Sequence, residues 1–259
     1  MERRDLLQLL AISGIGNVLG IRTFTFKQAI ANEEANSWGY VGNSRPEYRV
    51  DLASNSSICQ TGLQQSPIDL QGGIKTDLPA IDIHYQPIPL AILNNGYTIQ
   101  VNVADGNRIQ LDGEDFTLLQ FHFHHPSEHT IEGASFPMEM HFVHANNNGE
   151  LAVIGVFLQE GTENTFLRPI WKAMPRQLAV AKTIPGMQVE TLQLLPSDRS
   201  LFRYFGSLTT PPCSEIVKWV VFREPIELSP AQLAQFREIF PLNARSVQSV
   251  NQRFIFQSM

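Results

Sequence analysis

The sequence predicts a mainly β protein of the α+β class, a single domain with a few helices at its periphery. Three observations carry that expectation. Short β-favouring runs recur along most of the chain, dipeptides such as Asn95-Gly96 and Asp105-Gly106 punctuate them, and only two stretches keep apolar residues at helical spacing. A length of 259 residues, 43% of them hydrophobic, suits one large core.

Residues 1–31 read as a targeting segment rather than as part of the fold. Arg3-Arg4 precede a short apolar run from Leu6 to Leu19, and Ala29-Ile30-Ala31 supplies an A-x-A cleavage pattern. The paired arginines followed by Asp5-Leu6-Leu7 look like a twin-arginine export signal; the alternative is an amphipathic N-terminal helix. Residues 32–259 are then the folded domain. From Asn32 to Asp69 the chain is polar and rich in turn formers, with Trp38 and Tyr40 as anchors.

Beyond that point strands are expected at Ile81 to Tyr85, Thr98 to Val103, Arg108 to Leu111, Thr117 to Phe123, Glu139 to His144, Leu151 to Leu158 and Val217 to Arg223. Asp112-Gly113 and Asn148-Gly149 mark further turns. A helix is expected over Thr162 to Met174, with Pro169 as its flaw. Another should follow Ser229-Pro230, a cap with proline at the first helical position, and bury Leu233, Phe236 and Phe240.

A net charge of −6 and a pI near 5.6 give no electrostatic case for nucleic acid or anionic membranes as partners. Beyond the N-terminus no run of about 18 apolar residues exists to span a membrane. Cys59 and Cys213 belong to no CxxC pair, which argues against a cysteine-ligated metal. Export would make a Cys59–Cys213 disulfide reasonable; two buried thiols are the alternative.

Six of the seven histidines fall between Gln120 and His144. His122 and His124 are two apart in a β-favouring run and so face the same way. His141 sits in a second alternating run that could pair antiparallel with the first, through a short turn near Gly133 to Pro137. Three neutral imidazoles on neighbouring strands describe a zinc site with one open position. Glu139 and Gln120 each precede a histidine by two residues and can accept its other ring proton, which fixes the tautomer. His84 and His144 are read as hydrogen-bonded core residues. A rival reading takes His122-x-His124-x3-Glu128 as a cupin metal motif with Glu128 as a ligand, but the later cupin segment is matched only by His144-x3-Asn148.

The rest of the chain weighs against the rival. Gln64-Gln65-Ser66-Pro67-Ile68-Asp69, Leu93-Asn94-Asn95-Gly96, Gln120-Phe121-His122-Phe123-His124, Ser127-Glu128-His129-Thr130 and Ser207-Leu208-Thr209-Thr210-Pro211-Pro212-Cys213 occur in this order. Together they closely resemble the α-class carbonic anhydrases, from about Trp38 to Phe254. The short loop between His124 and Glu128 and the two cysteines resemble the exported bacterial branch, in which this pair is disulfide-bonded. The resemblance implies a central, largely antiparallel twisted sheet of about ten strands, with zinc at the base of a conical cleft. It implies zinc ligation by His122, His124 and His141, oriented by Gln120, the backbone carbonyl of Asn243 and Glu139. Thr209 would accept a hydrogen bond from zinc hydroxide and donate its own to Glu128, because an ionised carboxylate can only accept. Thr210 would order water, and Val143, Val153, Leu208 and Trp219 would form the apolar wall for carbon dioxide. The implied reaction is reversible hydration of carbon dioxide to bicarbonate and a proton.

One residue departs from the fast members of that family. Their Asn-Asn-Gly-His string carries a proton-shuttling histidine, whereas this chain has Tyr97 after Gly96. A phenol with a pKa of about 10 relays protons poorly near neutral pH, so slow proton export is expected. A weak or inactive binding module on the same scaffold is the alternative function. The resemblance further implies a periplasmic or extracellular location, and a homodimer is a state found often in the exported branch.

Overall fold

The strands of this chain fall into one large sheet and one small one. A computed structural model describes residues 39–40 and 58–259. The expected targeting segment and Trp38 lie outside the described residues, whereas Tyr40 is buried. In chain order the strands begin with β1 (Asp69–Leu70), β2 (Ile74–Thr76), β3 (Asp82–His84), β4 (Ile88–Asn94) and β5 (Ile99–Asn102). Next come β6 (Arg108–Leu111), β7 (Glu114–His124), β8 (Thr130–Ile131), β9 (Ala134–Ser135), β10 (Met138–Ala145) and β11 (Leu151–Glu160). The last are β12 (Ala179–Val189), β13 (Leu201–Gly206), β14 (Val217–Phe222), β15 (Ile226–Leu228) and β16 (Phe256–Ser258). Helices α1 (Ile58–Thr61), α2 (Arg168–Ala173) and α3 (Pro230–Arg237) are short.

The main sheet has 13 strands, and its central path runs β12-β4-β5-β7-β10-β11-β14-β13-β16-β2. Most neighbours are antiparallel; β11–β14, β11–β15 and β16–β2 are parallel. The small sheet joins β1, β8 and β9. All seven strands expected from alternation form. Nine others were not expected, six of them only two or three residues long. Pro89 interrupts the β4 pattern, and the strand tolerates it because β5 pairs with β4 only from Ala91 onward, leaving one side of Pro89 outside the ladder. Pro185 and Gly186 sit in β12, where pairing with β4 slips between Thr183 and Gln188. β13 and β16 were also missed.

Two helical expectations resolve differently. Ser229 caps α3 with a full capping box: its side chain accepts from Gln232 N–H, and Gln232 reaches back to the cap. The helix expected from Thr162 begins only at Arg168. Pro169 sits in its first turn, where no N–H is needed, and Asn164 Oδ1 instead turns the preceding segment by accepting from Phe166 and Leu167 N–H. The turn near Gly133 also has another place. It closes the small β8–β9 hairpin, with Glu132 and Gly133 both at positive φ, rather than joining β7 directly to β10.

Strand alternation divides the core around β7 and β10. Phe121, Phe123, Met140 and Phe142 face one way, onto Ile170, Trp171, Leu233 and Phe236 from α2 and α3. Val143, Val153, Val217, Trp219 and Tyr204 build a second cluster. The two-residue period therefore commits Gln120, His122, His124, Glu139 and His141 to a single face.

His144, at the end of β10, is fully buried as expected: it donates from Nδ1 to Ala152 O (3.0 Å) and accepts from the Tyr85 hydroxyl (2.6 Å). His84 is a correction. It stands exposed on β3, where alternation turns it outward to pair with Asp82 at 2.9 Å. Cys59 and Cys213 form a disulfide across 154 residues.

Two consequences are measurable. Burial, only partly offset by carbonyl partners, lowers the His144 pKa from 6.5 to about 4. The unfolded chain therefore takes up this proton first, so the contribution is intact above pH 6.5 and is lost as pH falls towards 4. Denaturant titrations should show the native chain losing about 3 kcal/mol more than His144→Gln across that window. Replacing Cys59 and Cys213 by serine should lower the unfolding free energy by about 2–5 kcal/mol, read from guanidinium midpoints.

Candidate metal centre

The register of β7 against β10 places His141 directly opposite His122. Each of the three imidazoles spends one nitrogen on a protein acceptor. His122 Nδ1–H donates to Gln120 Oε1, His124 Nδ1–H to the backbone carbonyl of Asn243, and His141 Nε2–H to Glu139 Oε1, each at 2.8 Å. The remaining nitrogens are Nε2 of His122 and His124 and Nδ1 of His141. One ligand atom from each histidine lies within 4.8 Å of the others. Among the described residues His124 Nε2 is buried with no hydrogen-bond partner, a cost that coordination of an ion would remove. A set of three neutral nitrogen donors suits zinc.

Electrostatics treats the three donors unequally. Burial, with His124 and His141 alongside, holds His122 well below the usual imidazole range. Burial also lowers His124, against the pull of the Glu128 carboxylate. Burial would lower His141 too, but the Glu139 carboxylate beside it raises it. Burial would in turn raise Glu139, yet His129 and His141 hold its carboxyl well below the ordinary range. Glu139 is saturated: Oε1 accepts from His141 and His129 Nδ1, and Oε2 from the backbone N–H of Glu128 and His129. A second group, His129, Glu139 and His141, also clusters closely enough to hold a metal. Both ring nitrogens of His129 are engaged, one with Glu139 and the other with Tyr204 Oη at 2.7 Å, so this group is a hydrogen-bond chain instead.

Comparison with known proteins decides the family. The profile of eukaryotic-type carbonic anhydrases matches residues 51–259. A carbonic anhydrase of Nostoc sp. is 42% identical over 100% of this chain and 98% of its own length. One from Klebsiella pneumoniae is 42% identical over 86% of this chain and 92% of its own. The chain belongs to the α-class carbonic anhydrase family. A solved complex of the Thermovibrio ammonificans α-carbonic anhydrase with sulfanilamide has 41% identity and a TM-score of 0.81, covering 85% of this chain and 98% of that one. The cupin alternative falls with this. The sheet is open, with edges at β12 and β2, rather than a closed double-sheet roll.

Other residues of this carbonic anhydrase fold stand around the histidines. Val143, Val153 and Trp219 lie opposite one another across β10, β11 and β14, forming an apolar row. The Trp219 ring is 4.9 Å from the His141 ring, and Leu208 packs on the same cluster. Thr209 and Thr210 sit in a loop closed by Leu208 N–H to Ser214 O and Cys213 N–H to Thr210 O. Ser66 and Ser207 pin that loop reciprocally, each side chain accepting the other's backbone N–H. Gln65 Nε2–H donates to Cys213 O.

The expected Thr209–Glu128 hydrogen bond does not form in this structure. Glu128 Oε1 accepts from Arg245 N–H, and Oε2 is buried without a hydrogen-bond partner among the described residues, 3.8 Å from His141 Nδ1. Tyr97 follows a turn in which Asn95 Oδ1 accepts from Tyr97 and Thr98 N–H, while Gly96 takes φ +86°. Three participants had escaped notice. The strings quoted for the family contain His129 without a role, Tyr204 is one tyrosine in an ordinary strand, and Arg245 stands near Asn243 with no motif of its own.

Glu139 orients a donor from a fully buried, saturated position. Glu139→Gln puts an amide N–H where two imidazoles and two backbone groups need an acceptor. Its zinc affinity, read by competition with a chromophoric chelator, should fall by about 10- to 100-fold.

Proposed function

We propose that this enzyme hydrates carbon dioxide reversibly to bicarbonate and a proton, at a zinc ion held by His122 Nε2, His124 Nε2 and His141 Nδ1. The observation that carries the reading is the convergence of three partner-fixed imidazoles beside the apolar row Val143, Val153 and Trp219. Bound there, zinc supplies a Lewis acid that makes a nucleophile from water near neutral pH.

The chain's own residues do the rest. Gln120, Asn243 and Glu139 hold the imidazole planes and, by taking the other ring proton, fix the tautomer that presents the coordinating nitrogen. The apolar row, with Leu208, offers a nonpolar substrate proximity rather than polar contacts. Glu128 Oε2 is the acceptor left for the Thr209 hydroxyl; with that bond made, the proton would point away from the metal and leave the oxygen free to accept from the nucleophile. Thr210 borders the same loop and would order water.

Tyr97 occupies the position through which the proton would leave. A phenol exchanges protons poorly near neutral pH, so proton transfer to buffer limits turnover. We further propose export to the periplasm or beyond through the twin-arginine-like segment 1–31. The Cys59–Cys213 disulfide supports an oxidising compartment, and no helix among the described residues is long and apolar enough to cross a membrane.

Stopped-flow hydration of carbon dioxide across an imidazole series tests the reading. Turnover in dilute buffer should be low and climb with imidazole, and Tyr97→His should raise it on the order of tenfold or more. High turnover insensitive to imidazole would refute the proton-transfer limit. A zinc-loaded chain without hydration activity would favour the binding-module alternative.

A further inference from the structure

Away from the histidines, a pocket of about 710 Å³ opens between β13, β14 and the C-terminal segment. None of the three histidines, Thr209 or Glu128 lines it. Its size falls in the range of small-molecule sites. Its rim is aromatic to an unusual degree for an exposed surface: Phe205, Phe254 and Phe256 are 45%, 67% and 38% exposed. Alternation explains the last two, since Ile255 between them turns into the core. Extended backbone leading into β16 thus turns both phenylalanines outward, and an exposed apolar patch of this kind marks a recognition surface.

The charge of the lining is opposite to that of the chain. Arg203, Lys218 and Arg253 line the pocket against one acid, Asp112, in a chain of net charge −6. Arg203 is paired with Asp112 and Lys218 with Glu114, which is not part of the lining. Arg253 differs. Among the described residues it forms no ion pair; its guanidinium donates to the carbonyls of Val250, Phe205 and Ser249 and lies 5.6 Å above the Tyr204 ring. Burial lowers its pKa against the pull of Tyr204 and the Glu215 carboxylate, so the cation is partly desolvated while no carboxylate among the described residues is in ion-pair contact with it. A guanidinium in this setting, carrying further N–H donors, is suited to a carboxylate.

We propose that this pocket binds a small organic carboxylate with an apolar, aromatic body, its anion at Arg253 and its ring among Phe205, Phe254 and Phe256. The site is separate from the metal, yet Trp219 lines it while its ring lies 4.9 Å from His141, so occupancy is readable in tryptophan emission.

Calorimetric and fluorescence titration of the zinc-loaded full chain tests this, with phenylbutyrate as probe and butyrate and phenylbutylamine as comparators. Phenylbutyrate should bind best. Its affinity should fall about tenfold in Arg253→Gln, as expected for losing one charge-assisted contact, and several-fold in exposed-rim Phe254→Ser. The second variant removes only a solvent-facing ring, so it answers the question if the first fails to fold. Equal binding of the amine and the carboxylate would overturn the proposal. So would affinity unchanged in both variants, which would place the probe at the metal. Absence of binding together with concentration-dependent self-association would make the patch an interface between copies instead.

Discussion

A buried carboxylate with four donors is the interaction on which the rest of the site depends. Glu139 has no solvent, and an ionised group without water survives only where its lone pairs are filled. It finds one imidazole on its own strand, a second imidazole at His129, and two consecutive backbone N–H groups. The chain between β7 and β10 must therefore return to the same point at which His141 is oriented. One acid thus fixes a ring, a loop and the segment bearing Glu128. Removing a partner from such a buried network costs about 3–5 kcal/mol, which makes the arrangement close to all-or-none.

Sheet geometry and loop chemistry divide the labour around that acid. The three candidate ligands and the apolar row sit on β7, β10, β11 and β14, where register sets position to within a residue. Thr209 and Tyr97 sit on loops, and side chains hold those loops in place. Ser66 and Ser207 exchange backbone bonds, Asn95 closes the turn before Tyr97, and Asn243 ties Tyr97 O and Phe123 O to the segment whose own carbonyl orients His124. Arg245 extends the same logic. Its backbone N–H serves Glu128, while its guanidinium binds Gln65 Oε1, Ser66 O and Cys59 O, joining the disulfide segment to the site.

Much of this was legible in the sequence because strands report a two-residue period. His122 and His124 shared one face by spacing, as did Glu139 and His141; that the two pairs meet was an expectation of antiparallel pairing, which β7 and β10 form, though not through the turn expected. What stayed hidden depends on contacts between segments far apart in sequence. His129 and Tyr204 are separated by 75 residues, and nothing local marks either as part of one chain of bonds. The β4 and β12 strands were obscured by prolines and a glycine that a one-sided or slipped pairing tolerates. His84 was misplaced inside because a histidine in a short alternating run gives no sign of which face is buried.

The division between strand and loop also explains why a change at Tyr97 can leave the centre intact. The three imidazoles take their orientation from Gln120, Asn243 and Glu139, and none of these bonds uses the Tyr97 side chain. Asn243 meets Tyr97 only through its backbone carbonyl, which any residue at that position offers equally. The orientation of the three imidazoles therefore depends on one set of contacts, and the proposed route of proton departure on a side chain outside it. Under that proposal a substitution at Tyr97 alters the second and leaves the three orienting bonds of the first in place.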